Sequence, residues 1–259
     1  MAKKTEHRRQ LIDTTDETIP QYHIKMRPGD VGRYVLLPGD PGRVPLIASF
    51  LDGARQIAEN REHRTYTGML EGAPVSVTST GIGGPSTAIA VEELAKIGAD
   101  TFIRVGTSGT LQDWVSPGDL VVVSAAVRDE GTALHYMPMA FPAVADLDVV
   151  ACLRQACEVT AAPYHVGVSH SKDSFYGEVE PDRMPLADML KERWKCWVQG
   201  GVLCSEMEAA ALFVIARTLE KRAGGLMIAG GSHDGLESLC RTAVEAVRLL
   251  IQLDKNKAK

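Results

Sequence analysis

The chain lacks most of the features that would place it in a class at once. It has no basic excess: 28 Lys and Arg against 33 Asp and Glu give a formal net charge of −5. The broad positive field that nucleic-acid binding needs is therefore missing, and any site for an anion must be local. There is no Cys-x-x-Cys pair and no Cys/His spacing suited to zinc. The five cysteines, Cys152, Cys157, Cys196, Cys204 and Cys240, are odd in number and read as reduced thiols, which points to a cytoplasmic location. No apolar run reaches the length of a membrane span, and the opening MAKKTEHRRQ carries charge where a secretory leader would carry an apolar core. Internal repeats and low-complexity blocks are also missing. These absences argue against nucleic acid and membrane as partners.

What is there is a chain of 259 residues with 45% hydrophobic content, enough for one large core. Residues 1–20 are polar and read as a tail; residues 21–259 read as a single domain. Strand signals fall at Tyr34–Leu37, Pro74–Thr80, Thr101–Val105, Asp119–Ala126, Tyr164–Ser169 and Gly225–Ala229. Helical spacing of apolar residues falls at Val44–Leu51, Thr87–Ile97, Asp146–Glu158, Glu206–Thr218 and Leu239–Leu253. The alternation predicts a three-layer α/β/α fold around a central mixed sheet. Three of the strands run into glycine-rich turns, and ligands of such folds sit at the carboxyl ends of strands.

The first of these turns is Pro38-Gly39-Asp40-Pro41-Gly42-Arg43. A glycine after a strand lets backbone N–H groups approach an anion, the helix behind it adds a positive dipole end, and Arg43 adds a guanidinium fork. A tight turn with a solvated arginine is the plainer alternative. The second is Arg104-Val105-Gly106-Thr107-Ser108-Gly109. Arg104 lies inside an apolar strand, where an unpaired guanidinium is costly, so it needs a buried carboxylate or an anionic ligand. Thr107, Ser108 and Gly109 follow with hydroxyls and exposed amides suited to phosphate oxygens. Ser205-Glu206-Met207-Glu208 heads an otherwise apolar helix. A carboxylate can accept both hydrogen bonds of a sugar diol, whereas a favourable charge at a helix N-terminus explains one glutamate better than two. Gly81-Ile82-Gly83-Gly84-Pro85-Ser86 departs from the dinucleotide fingerprint and reads as a close-packed turn.

In this order the pieces resemble the nucleoside phosphorylase family, which contains uridine phosphorylases and hexameric purine nucleoside phosphorylases. The resemblance runs from about His23 onward. It is strongest to the uridine phosphorylases at Ser79–Leu94, Thr101–Gly109 and Val127–Asp146. It implies phosphate binding by Gly39, Arg43, Arg104 and Thr107, with Arg61 lent to a neighbouring subunit's phosphate. It implies ribose binding by Glu206, Met207 and Glu208, with Glu208 on the diol and His23 reaching a 5′-hydroxyl across a subunit interface. Phe175, Ser108 and Gly109 would lie at the base. Glu62, Ile82 and Ser86 match a potassium site between subunits of some members. The implied assembly is a homo-oligomer, with a dimer as the minimal unit and a hexamer as the family expectation. The implied reaction is phosphate-dependent cleavage of uridine to uracil and ribose 1-phosphate, with inorganic phosphate as co-substrate and no required cofactor.

The base end departs from that pattern. Uridine phosphorylases carry a glutamine and an arginine shortly after the Phe-Tyr pair, and simple alignment places Val179 and Pro181 there. Lys172 is the substitute donor to a pyrimidine carbonyl, with Arg183 as a second candidate; a merely exposed lysine is the alternative. At Gly230–Gly235, where uridine phosphorylases carry Asn-Arg and purine enzymes an acid, this chain has His233 and Asp234. An acid there suits a purine leaving group. Purine nucleosides are thus the alternative substrates. A hydrolytic nucleosidase or a non-catalytic nucleoside-binding protein of the same fold would not need Arg43, Arg61 and Arg104 together.

Overall fold

The computed structural model describes residues 18–231 and 235–257. Within them, strand β1 (Tyr34–Pro38) leads through a 3-10 turn (Pro41–Arg43) into helix α1 (Val44–Ala48). Strands β2 (Asp52–Asn60), β3 (His63–Leu70) and β4 (Ala73–Thr78) follow, then helix α2 (Gly84–Lys96). Next come β5 (Thr101–Thr110), β6 (Leu120–Asp129), β7 (Ala143–Val144), α3 (Leu147–Val159) and β8 (Tyr164–Lys172). The last part holds α4 (Phe175–Val179), α5 (Ala187–Gln199), β9 (Cys204–Glu206), α6 (Ala209–Thr218), β10 (Arg222–Ala229) and α7 (Leu236–Lys257).

The ten strands form one mixed sheet in the order β10-β6-β8-β9-β5-β1-β4-β3-β2, with β7 beside β6. β5 also pairs in parallel with β10, so the strands β5, β10, β6, β8 and β9 close into a ring. Successive strand residues point to opposite faces, and the core divides accordingly. Val35 and Leu37, Val121 and Val123, Met227 and Ala229 join one cluster with α2 and α6. Tyr34 and Leu36, Leu120 and Val122, Leu226 and Ile228 join a second cluster with α1, α3 and α7. The helices thus cover both faces, as the alternation predicts. Helix α6 is buried from Ala209 to Ala216, which explains why its sequence is apolar all round. α7 instead buries a stripe, including Leu239, Ala243, Val247 and Leu250, and leaves its other face polar.

Several boundaries differ from the sequence reading. β5 does not stop at Val105: β10 pairs with it as far as Ser108, and β9 pairs with Gly109 and Thr110. Hydrogen-bonding partners on both sides carry the strand through Gly106-Thr107-Ser108-Gly109, so this stretch is strand and not turn. Glu206 is likewise not helical. It ends β9, and α6 begins at Ala209. The helix expected over Val44–Leu51 has only five residues, so its dipole adds little to an anion site at Gly39.

Candidate active site

The carboxyl ends of β1, β5, β8, β9 and β10 converge on one cavity of about 1020 Å³. It is lined by Gly39, Arg43, Arg104, Thr107, Ser108, Gly109, Lys172, Phe175, Glu206, Met207 and Glu208 among the residues singled out from the sequence, and by Glu62, Ile82 and Ser86. Residues separated by more than 150 positions therefore meet where the topology of the sheet places a ligand.

Arg104 is the centre of this arrangement. By strand periodicity it shares a face with Phe102, which lies in the cluster beneath α2 and α6. It is 5% exposed. Its Nη2 donates to Glu208 Oε2 at 2.7 Å, and its Nη1 donates to Thr80 Oγ1 at 3.0 Å and to the Leu37 carbonyl at 3.3 Å. The Gly39 backbone lies against the same guanidinium: a Cβ placed there would come within 3.0 Å of Nη2. The glycine is needed for that close approach. Arg104 Nε is buried with no partner among the described residues, and so is Arg43 Nη1. Burial and the nearby Arg104 charge hold the Arg43 guanidinium below its ordinary pKa, and the Asp40 carboxylate, 3.8 Å from its Nε, only partly opposes this. The Asp40 side chain and carbonyl already accept from Gly42 N–H at 2.7 Å and Arg43 N–H at 3.1 Å. Those two turn amides are therefore taken, and the positive character of this corner comes from the guanidinium groups.

The two glutamates divide their work. Glu208 Oε1 accepts from the Gly83 backbone N–H at 2.7 Å, and Oε2 faces Arg104. Glu206 is 4% exposed, and both of its oxygens are engaged. Oε2 accepts from the N–H groups of Glu208 and Ala209 at 2.7 Å each, and Oε1 accepts from the hydroxyls of Ser169 and Ser171. Burial and the neighbouring Glu208 charge raise the Glu206 pKa above the usual carboxylate range, opposed by these donors. Its side chain serves the first turn of α6, whose amides lack intrahelical acceptors. Glu206 lines the cavity, but both of its side-chain oxygens are engaged inside the protein.

At the other end, Lys172 closes β8 and is 7% exposed, not a surface lysine. Its Nζ donates to Ser205 Oγ at 2.7 Å and pairs with Glu178 Oε2 at 3.0 Å. Glu178 was not singled out from the sequence; the nearest signal was the loss of the family's base reader one and three positions further on. Thr80, Gly83 and Ser205 were also missed, because a single hydroxyl or glycine carries no pattern of its own. Ser108 lines the cavity, but its hydroxyl donates to the Ile228 carbonyl at 3.1 Å. Arg183 lies apart from the cavity, paired with Glu180 and against the Tyr176 ring. His233 and Asp234 lie outside the described residues.

His23 and Arg61 do not line this cavity. The His23 Nδ1 lies 2.7 Å from Glu93 Oε1, which with Oε2 also accepts the His23 backbone N–H. Arg61 is exposed at the tip of the β2–β3 hairpin, in the left-handed region at φ 55. Glu62 and Ser86 do meet: the Ser86 hydroxyl donates to Glu62 Oε1 at 2.8 Å.

Helices cover both faces of a mixed sheet, and Arg43 and Arg104 meet in the cavity at its carboxyl edge. The chain belongs to the phosphorylase superfamily, whose family model matches residues 33–252. It is similar to a protein named uridine phosphorylase from Treponema pallidum (strain Nichols), 46% identical over 256 residues, covering 94% of this chain and 98% of the relative. It is also similar to the uridine phosphorylase of Thermococcus kodakarensis, at 47% identity over 92% of this chain and 90% of the relative. A guanosine phosphorylase from Halorubrum lacusprofundi is 39% identical over 82% of this chain and 83% of its own length.

Proposed function

We propose that this chain is a uridine phosphorylase, a pentosyltransferase that uses inorganic phosphate to cleave uridine reversibly to uracil and ribose 1-phosphate. The observation that carries the proposal is the pair of buried guanidinium N–H groups, Arg43 Nη1 and Arg104 Nε, that have no partner among the described residues, in a cavity where Glu208 answers only one of the two cations. Buried donors without acceptors are costly, and a dianion with several oxygens would satisfy both. Thr107, which lines the same cavity, would complete the phosphate contacts with Gly39. The relatives named uridine phosphorylase supply the base, and the guanosine phosphorylase keeps purine nucleosides as the second reading.

In this reading phosphate attacks C1′ as the glycosidic bond breaks. Its charge, held by the arginines, offsets the developing positive charge on the sugar. Glu208 fixes the ribose hydroxyls together with Met207, and Glu206 positions Glu208 by holding its backbone N–H. Lys172 stabilises negative charge on the departing base. Nothing in this scheme requires a cofactor. The protein should cleave uridine only when phosphate is present; cleavage at the same rate without phosphate would sink the proposal. Phosphate alone should also raise the melting temperature, since a ligand at a hundred times its Kd adds about 2.7 kcal/mol. No shift at millimolar phosphate would count against the arginine site.

The assembly proposed is a homo-oligomer in which Arg61 and His23 complete a neighbour's site. Ile82, 77% exposed on the loop between β4 and α2, is an apolar residue that a partner would cover. A potassium ion would suit Glu62, Ser86 and the Ile82 carbonyl, because all three offer oxygen. Glu62 is held below the usual carboxylate range by hydrogen bonds from its own backbone N–H and from Ser86, so it would present a full charge. The ion's part would be to tie subunits together. Shared sites predict complementation. Arg61→Ala and Arg104→Ala variants should each be inactive, but subunits mixed by co-refolding should recover about a quarter of wild-type activity, because each mixed dimer has one intact site. Zero recovery from properly mixed dimers would remove Arg61 from the partner's site.

A further inference from the structure

The cavity contains a second polar cluster that neither phosphate nor ribose uses. Glu178 Oε2 is fully engaged. It pairs with Lys172 at 3.0 Å, accepts from the Ser205 hydroxyl, and lies 3.8 Å from His170 Nδ1. His170 is held in turn, with Nε2 3.0 Å from Asp129 Oδ2, while Asp129 Oδ1 pairs with Arg193. The other oxygen of Glu178 makes no hydrogen bond among the described residues. It faces the bare backbone of Gly109, where a Cβ would lie 3.6 Å from Oε1. Lys172 has three protons and spends two, on Ser205 Oγ and Glu178 Oε2. The exposed ring of Phe175, its centroid 6.0 Å from Nζ, supplies an apolar face beside the pair. Gly109, Lys172, Phe175, Glu178 and Ser205 all line the cavity that holds Arg43 and Arg104.

We propose that Lys172 and Glu178 read the lactam edge of the base: Nζ donates to a ring carbonyl oxygen, and Glu178 Oε1 accepts from the adjacent ring N–H. This rests on the nucleoside phosphorylase reading and names the substrate class of that site. Uracil offers N3–H beside a carbonyl, and hypoxanthine and guanine offer N1–H beside the C6 carbonyl. Cytosine and adenine present the reverse, an amino donor beside an unprotonated ring nitrogen. They would set N–H against ammonium and a lone pair against carboxylate. The pair therefore selects by edge and not by ring size. Ser205, His170, Asp129 and Arg193 act as positioning residues, since each holds the next without reaching the base.

The experiment compares binding by calorimetry and phosphate-dependent cleavage for uridine, N3-methyluridine, cytidine, inosine and adenosine. The wild-type protein should prefer uridine to N3-methyluridine and to cytidine by roughly 100-fold or more, and inosine to adenosine in the same sense, as a site built around a substrate N–H requires. Glu178→Ala should weaken uridine roughly 100-fold, the cost of losing a charged acceptor in a buried site, and change N3-methyluridine less than about threefold. Lys172→Met should weaken uridine and N3-methyluridine alike, because both keep the carbonyl. Ratios between substrates within one preparation do not depend on how much of a variant folds, and the wild-type comparison needs no variant. Cytidine bound as tightly as uridine, or an undiminished uridine preference in Glu178→Ala, would overturn the proposal. If the binding order holds and no phosphate-dependent cleavage occurs, the phosphorylase reading fails and the edge recognition stands.

Discussion

Arg104→Met is expected to lower kcat/KM for phosphorolysis by at least about a thousandfold, the size of loss seen when a principal electrostatic contact to a reacting group is removed. One side chain would hold both ends of the reaction. Its Nη2 donates to Glu208 Oε2 at 2.7 Å, and its Nε, buried without a partner among the described residues, would face the proposed phosphate. Methionine fills the space but leaves the Glu208 carboxylate, 3% exposed, without its cation. That charge would then repel incoming phosphate. Breaking a buried pair by removing one partner also costs about 3–5 kcal/mol of stability. The double variant Arg104→Met/Glu208→Gln should regain most of the stability and none of the activity. Urea denaturation with steady-state kinetics on the three proteins checks this; a single variant within about tenfold of wild type in kcat/KM would refute Arg104's role.

How much of this was legible depends on what each segment answers to. Tyr34–Leu37 and the stripe of α7 follow local hydrophobic pattern, and both were read correctly. The β2–β3 hairpin was not read at all. Its strand Asp52–Asn60 is mostly exposed or half-buried, lies at the sheet edge and owes its conformation to pairing with His63–Leu70, which the sequence does not advertise. Helix α5 was missed for a different reason: Leu190, Trp194, Trp197 and Val198 recur at helical spacing, but polar and charged residues surround them and the helix buries no residue completely. In the site, Arg104 was visible because a guanidinium inside an apolar strand demands an explanation. Glu178 lies in the charged stretch Glu178-Val179-Glu180-Pro181-Asp182-Arg183, where one carboxylate looks like another. Which of Glu206 and Glu208 would face a ligand was equally hidden, because it depends on where α6 starts: two residues earlier, and the acceptor for its first amides would be a different side chain.

That dependence predicts a stability effect at Glu206. Glu206→Ala would strip the acceptor from two backbone N–H groups of α6 and from Ser169 and Ser171. Each buried donor left unsatisfied costs about 1–3 kcal/mol, and the hydroxyls can turn elsewhere, so the expected loss is about 3–5 kcal/mol, dominated by the two amides. Glu206→Gln should cost less than about 1.5 kcal/mol. Its carbonyl oxygen can keep the amides, its NH2 can donate to the serine hydroxyls, and the repulsion from Glu208 disappears. Wild type and Glu206→Gln should also differ in pH response. The Glu206 carboxyl is raised by burial and by Glu208, so the folded protein binds its proton more tightly than the unfolded chain does. Its contribution is then full below the unfolded value and is lost as pH rises through the folded value. Wild type should therefore lose stability relative to Glu206→Gln as pH rises from the ordinary carboxylate range through that raised value. Urea midpoints across a pH series measure the difference directly. A gap that widens in the opposite direction would mean that the four donors outweigh burial and the Glu208 charge, and that Glu206 is held ionised more firmly in the fold than in the unfolded chain.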